Sequence, residues 1–216
     1  DALVRTTWQR QGCEAVLAPP QEPSRQAPAG ALGDAVIRLV ASGPDEPGDS
    51  RIHATRLGAI AASRRSVHLT MAYFAPGDRI VEALCEAARR GVDVQLVLPS
   101  MSDFAPVLHA GRARYEQLLS AGVRIHELQH SVLHAKTFVV DGVLSSVGSS
   151  NMDWRSFTGN DEVNAFVLGR DFGAAMERMF ERDVADSRPV TLASWRERPW
   201  PGRLAERAAL MFERLW

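Results

Sequence analysis

The sequence lacks the features that would direct it to nucleic acid, to a bilayer core or to a disulfide framework. Its 25 basic residues are balanced by 26 acidic ones, whereas strong phosphate-backbone binders carry a basic excess or stripe. No apolar run approaches the roughly 18–20 residues that a membrane-spanning helix needs. Two cysteines, Cys13 and Cys85, are too few for a disulfide scaffold or a zinc site, and they favour a reducing compartment.

Lysine is almost absent as well. Of the 25 basic residues, 24 are arginine, and the single lysine is Lys136. The two cations differ wherever a compact point charge or a tight geometry is needed. A lone ammonium in an arginine-rich chain therefore marks a position at which arginine would not serve equally well.

What is present is the composition of a globular chain that can bury a core. The 216 residues are 45% hydrophobic and 24% charged, and this length suits one domain or half of a larger protein. The chain begins at Asp1 rather than at a methionine, and it stops at Trp216 inside a helical pattern. We expect a piece of a longer protein.

Strand-like and helical patterns alternate along most of the chain. The strands are predicted at 35–41, 67–73, 92–98, 123–128, 135–140, 143–147 and 162–168, and the helices at 52–63, 80–90, 104–121 and 172–184. Asp141-Gly142 between two apolar runs is a strong hairpin signal. The pattern predicts an α/β fold, a mixed sheet flanked by helices on both faces.

The same patterns divide the chain into three segments. Residues 1–33 combine a short helix with a Pro/Gly-rich linker, residues 34–186 hold the α/β domain, and residues 187–216 form a helical tail. In the tail, tryptophans stand among arginines, and an apolar stripe that includes Leu204 and Met211 follows helical spacing. An interfacial helix on a membrane and packing against the main domain are both open readings.

The residues that could carry chemistry are grouped around the hairpin. His134 and Lys136 are two apart on an extended strand, so their side chains share a face. An imidazole beside an ammonium suits a phosphate, because the cation holds the oxygens while the nitrogen attacks phosphorus. The returning strand ends in Ser149 and Asn151, again two apart, and the carboxylate of Glu162 begins the next strand. That carboxylate could bond the imidazole and fix its tautomer.

The pattern H-x-K-x4-D-x6-G-S-x-N, from His134 to Asn151, resembles the signature of the phospholipase D superfamily. The stretches 69–76, 118–127 and 151–156 are similar to those of bacterial cardiolipin synthases, and the similarity covers roughly residues 35–186. It implies that residues 34–186 are one phospholipase D-like catalytic half-domain.

The resemblance assigns a role to each matching residue. His134 would be one of two active-site histidines, either the nucleophile or the acid that protonates the leaving alcohol. Lys136 and Asn151 would hold the phosphate. No metal and no cofactor are implied, because Lys136 supplies the cation.

Three further residues complete the expected catalytic set. Ser149 and Glu162 would support the histidine. Asp141 belongs to the pattern, but we expect it to support the strand pair rather than to touch substrate.

The resemblance implies a phosphatidyltransferase that works through a phosphohistidine intermediate on a phospholipid such as phosphatidylglycerol. The alternative is a phospholipase D-like phosphodiesterase or nuclease that uses water, although the charge balance gives no reason to expect nucleic acid. Superfamily enzymes use two such motifs, and this sequence has one. A second half would come from a missing N-terminal region or from a second chain. The expected location is the cytoplasmic face of the bacterial inner membrane, with this segment bound peripherally at the membrane surface.

Overall fold

The computed structural model describes residues 2–13, 35–44 and 50–213. Residues 1–34 and residues 35–216 form two compact units. In chain order, the elements are α1 (Ala2–Arg10), β1 (Val36–Ser42), α2 (Arg51–Ala62), β2 (Ser66–Met71), α3 (Gly77–Arg89), β3 (Asp93–Pro99), α4 (Ala105–Ala113), α5 (Tyr115–Ser120), β4 (Arg124–Leu128), β5 (Lys136–Val140), β6 (Leu144–Gly148), α6 (Trp154–Thr158), β7 (Glu162–Leu168), α7 (Arg170–Ala185), β8 (Ser187–Val190), α8 (Leu192–Arg196) and α9 (Trp200–Met211). The Pro/Gly-rich linker predicted after the short helix, within residues 1–33, lies outside the described residues.

The described strands form one sheet in the order β1-β7-β6-β5-β2-β3-β4-β8. Strands β2, β3 and β4 run parallel to one another. Every other neighbouring pair is antiparallel. The predicted mixed sheet is therefore confirmed.

Helices cover both faces of the sheet, as predicted. Ile60 of α2 and Leu84 of α3 belong to the main hydrophobic cluster with Leu69 and Leu96 of the sheet. On the other face, Phe180 of α7 clusters with Val97. Strand β3 is buried on both sides, which explains its nearly continuous apolar run.

The C-terminal segment differs from the prediction. Ser187–Val190 was expected to open a helical tail, but it forms β8, an edge strand that pairs antiparallel with β4. A strand of four residues is too short to show the alternation of apolar and polar residues that predicts a strand. Pro189 is tolerated in β8 because the strand lies at the edge of the sheet. The helix predicted at 104–121 is divided into α4 and α5 at Arg114. The short helix α6 was not predicted.

No helix within the described residues is long and apolar enough to span a membrane.

Candidate active site

The site begins where β5 begins. Lys136 is the first residue of this strand and is only 9% exposed, whereas His134 precedes the strand and is exposed. The ammonium Nζ of Lys136 donates to the His134 carbonyl at 3.0 Å and lies 3.3 Å from Nδ1 of the imidazole. An ammonium can only donate, so a hydrogen bond to Nδ1 leaves the proton of the neutral ring on Nε2. The sequence therefore places an accessible imidazole directly beside a sheltered cation.

The charges of three carboxylates act on that cation. Burial lowers the pKa of Lys136, and the negative charges of Glu162, Asp153 and Asp103 oppose this effect. The cation is thus partly desolvated, which strengthens its attraction for an anion that enters the site.

Ser149 follows β6 directly and lies beside the first residues of β7. The Ser149 hydroxyl donates to Glu162 and accepts the N–H of Val163 at 3.0 Å. Gly148 permits this approach, since a Cβ there would lie 2.4 Å from the Val163 carbonyl oxygen. Asn160 donates to the second Glu162 oxygen at 3.3 Å. The Glu162 carboxylate is therefore fixed from both sides.

The side chain of Asn151 is buried, and its oxygen atom Oδ1 makes no hydrogen bond within the described residues. Its backbone N–H donates to the Ser156 hydroxyl at 3.2 Å. Buried amides normally satisfy their polar atoms within the fold. An ionised phosphate oxygen only accepts hydrogen bonds, so Nδ2 and not Oδ1 is the atom of this amide that can donate to a phosphate.

Asp141 lies at the far end of β5 from Lys136. Its carboxylate accepts the backbone N–H groups of Arg65 at 2.7 Å, Ser66 at 3.0 Å and Arg64 at 3.1 Å. Burial would raise the pKa of Asp141, but these N–H groups and the Arg65 charge hold it below its usual value. The structure does not bring Asp141 to the other motif residues, and the carboxylate ties the hairpin turn to the start of β2.

Glu162 does not contact His134 in the described structure. The hydrogen bonds of its carboxylate go to Ser149 and Asn160. Its support of the histidine therefore stays a prediction, as do the roles of the other predicted site residues.

Sequence reasoning missed two acidic groups near the site. Asp153, which is 3% exposed, accepts the N–H of Ser156 at 2.7 Å and begins α6. Burial raises the pKa of Asp153, and the Glu162 charge raises it further. An Asp three residues before a Ser at a helix start is an N-cap signal that could have been read.

The second missed group is the pair formed by Tyr73 and Asp103. The Tyr73 hydroxyl donates to Asp103 at 2.6 Å, and this bond is the main cause that raises the pKa of Tyr73 to about 12. The Asp103 charge reaches both His134 and Lys136. No sequence spacing links Tyr73 to Asp103.

Known proteins are similar to this chain in sequence. The family described as "Cardiolipin synthase, PLD-like domain" matches residues 57–184. The chain is 37% identical over 179 residues to cardiolipin synthase A of Pectobacterium carotovorum, covering 83% of this chain and 37% of that protein. It is 36% identical over 208 residues to cardiolipin synthase A of Cronobacter sakazakii, covering 96% and 42%.

Solved structures share the fold at lower identity. Nuc of Salmonella typhimurium, a phospholipase D family member, aligns with a TM-score of 0.62 at 20% identity, covering 73% of this chain and 99% of that one. Phosphatidylserine synthase of Haemophilus influenzae aligns with a TM-score of 0.63 at 10% identity, covering 84% and 48%.

The chain spans about two fifths of the length of the curated relatives it matches. The match to the family nevertheless takes in most of the sheet and the whole His134–Asn151 motif. The chain belongs to the cardiolipin synthase family and carries its phospholipase D-like domain.

Proposed function

We propose that this chain is one catalytic half of a phosphatidyltransferase of the cardiolipin synthase type. The observation that carries the proposal is the accessible His134 imidazole beside the sheltered Lys136 ammonium, with the buried Asn151 amide just beyond the same hairpin. Together they offer a nucleophile or acid, a cation and a neutral donor to one phosphodiester.

The reaction has two displacements at phosphorus. A histidine nitrogen attacks the phosphate of the donor lipid, its P–O bond to the departing alcohol breaks, and an acid protonates that alcohol. An acceptor alcohol then attacks the phosphohistidine while a base takes its proton, and the P–N bond breaks. Covalent catalysis of this kind divides one difficult displacement into two easier ones. Lys136 and Asn151 hold the nonbridging oxygens throughout.

Two imidazoles suit this scheme better than one, since nucleophile and acid must lie on opposite sides of phosphorus. We propose that the second comes from another H-x-K-x4-D half, either in the rest of a longer protein or in a second chain. The relatives are more than twice as long as this chain, which leaves room for such a half. Ser149 and Glu162 act as supports of the local histidine.

The proposed substrates are phospholipids, phosphatidylglycerol or a similar lipid, met at a membrane surface. The names of the relatives support this substrate class. We place the enzyme at the cytoplasmic face of a bacterial inner membrane, and the paucity of cysteine agrees with a reducing compartment. No nucleic acid and no cofactor enter the scheme.

The test is His134→Asn in the full-length protein, with phosphatidyl transfer between labelled lipids as the readout. We expect a loss of at least 100-fold, on the order reported for removal of a general acid or base, with an unchanged melting temperature. His130→Asn, an exposed histidine four residues away, is the control and should retain activity. Near-normal transfer by His134→Asn would overturn the assignment. If the wild type releases only phosphatidic acid, the hydrolase replaces the transferase.

A further inference from the structure

The two faces of α9 have opposite character. The inner face packs Ala209 against Val107 and Ala110 of α4, and it buries Glu206. On the outer face, the large apolar side chains are exposed, Trp200 by 73%, Leu204 by 61% and Met211 by 82%. The apolar stripe predicted from sequence thus points away from the domain.

The outer face of α9 also carries arginines, and the acidic side chains of the segment point elsewhere. Arg203 and Arg207 are exposed there beside Trp200 and Leu204. The two acidic residues of the described segment 200–213 are both engaged elsewhere. Glu206 pairs with Arg198 and Glu213 with Arg114, each at 2.6 Å. The outward face therefore combines apolar bulk with two cations.

We infer that the outer face of α9, residues Trp200, Arg203, Leu204, Arg207 and Met211, docks on an anionic lipid bilayer. The lipid class rests on the proposed function. The choice of a bilayer rests on the combination, on one helix face, of large exposed apolar side chains with arginines.

The test is sedimentation of the 216-residue chain with vesicles of phosphatidylglycerol and phosphatidylcholine, compared with pure phosphatidylcholine. Trp200→Ser with Leu204→Ser should weaken binding by at least about 10-fold, given the cost of withdrawing two large apolar groups. Arg203→Gln with Arg207→Gln should remove the preference for the anionic vesicles. The matched control is Ile37→Ser with Leu39→Ser, two similarly exposed residues of β1, which should bind as the wild type.

Binding is measured apart from catalysis, so the two proposals can fail separately. His134→Asn should still bind vesicles, and loss of transfer with retained binding would affect only the proposed function. Wild-type binding by Trp200→Ser/Leu204→Ser would overturn the docking face. A change of oligomeric state in that variant would also overturn it, because the face would then be a protein interface.

A second inference rests on Arg56, a fully buried residue of α2. Its guanidinium donates to the Ser150 carbonyl at 2.7 Å and to the Asn151 carbonyl at 2.9 Å. A buried charge is costly unless it is paired and hydrogen-bonded. Burial lowers the pKa of Arg56 to about 10, and the charges of Glu162 and Asp153 oppose that shift.

Arg56 adds a second positive charge to the site. The negative charges of Glu162, Asp153 and Asp103 all act on Lys136, and Arg56 offsets part of the charge of Glu162 and Asp153. We propose that Arg56 is a positioning residue that aims Asn151 through the backbone and keeps the site receptive to an anion.

The test compares Arg56→Lys and Arg56→Met in the full-length enzyme. Arg56→Met should raise KM and move the acid limb of kcat/KM to higher pH, because loss of a positive charge raises the pKa of Asp153, whose charge interacts with Arg56. Arg56→Lys keeps the charge, so it should keep the wild-type pH limb while kcat falls. A merely structural role would lower stability without moving the pH profile.

The matched control is Arg90→Met. The Arg90 guanidinium also binds carbonyls of α2, those of Ile60 at 3.2 Å and Ala61 at 3.3 Å. The Arg90→Met variant is expected to leave the pH profile of kcat/KM unchanged. A wild-type profile and kcat/KM in Arg56→Met, per folded enzyme, would overturn the proposal.

Discussion

At the scale of single residues, the site depends on matching charges in a confined space. The one lysine of the chain is also a buried one, with its ammonium held by His134 and subject to the charges of three carboxylates. An arginine has a longer, planar head that cannot occupy the same point. Charge alone is therefore not what the position selects.

We predict that Lys136→Arg in the full-length protein lowers phosphatidyl transfer by on the order of 100-fold, because the guanidinium displaces the phosphate by about an ångström. The melting temperature should change little. The assay is transfer in vesicles or micelles, with Arg124→Lys, an exposed basic residue on β4, as a control for the exchange. Activity within a few-fold of the wild type would show that charge alone suffices.

At the scale of elements, Gly148 governs how closely β6 approaches β7. A Cβ at this position would also meet the side chain of Asn164 at 2.5 Å. Neither neighbour can move without disturbing the ladder that carries Ser149 and Asn151. The glycine of the motif thus serves packing as well as chemistry.

Gly148→Ala should destabilise the domain by about 1–3 kcal/mol, the usual cost of overpacking, and should lower activity by separating Ser149 from Glu162. Gly58→Ala in α2 is the matched control, because nothing lies within 4 Å of its added methyl. It should be neutral or stabilising. Urea unfolding of both variants decides the prediction, and equal stabilities would contradict it.

The hairpin turn gives a pH-dependent prediction. The folded-state pKa of Asp141 is depressed, so its stabilisation is present above the unfolded pKa of about 4. It is lost as the pH falls through the folded value. Asp141→Asn should therefore cost about 1 kcal/mol at pH 7, a modest figure because the residue is only partly buried.

The difference between Asp141→Asn and the wild type should shrink as the pH falls below 4, toward the folded-state pKa. The measurement is urea unfolding of both proteins at several pH values. A difference that stays constant down to acid pH would remove the carboxylate charge as the cause.

The elements also show which parts of the fold could be predicted from the sequence. Apolar runs and the Asp141-Gly142 turn predicted the central strands, since buried strands and tight turns have local signatures. Edge strand β8 has no such signature. Periodicity found the apolar stripe of α9 but could not say which face the domain covers. Arg56 resembled any helix arginine, because its partners are 94 and 95 residues away.

At the scale of the whole molecule, this chain offers one histidine motif to a reaction that we propose needs two. We predict that the 216-residue chain is inactive as a monomer and gains transfer activity only when it dimerises or receives the remainder of a longer protein. The measurement is transfer activity across fractions of defined mass from light scattering. Appreciable turnover in a monodisperse monomer would contradict the two-half scheme.

The position of β1 in the sheet also affects how the chain folds on the ribosome. Strand β1 leaves the ribosome early, but its partner is β7, which begins 120 residues after β1 ends (Ser42 to Glu162). At roughly 5–20 residues per second, that interval lasts roughly 6–24 s. During this time the backbone of β1 has no strand to pair with. The β1–β7 ladder is a late, long-range step, and until it forms β1 lacks a partner on either edge, which leaves the nascent chain open to misassociation.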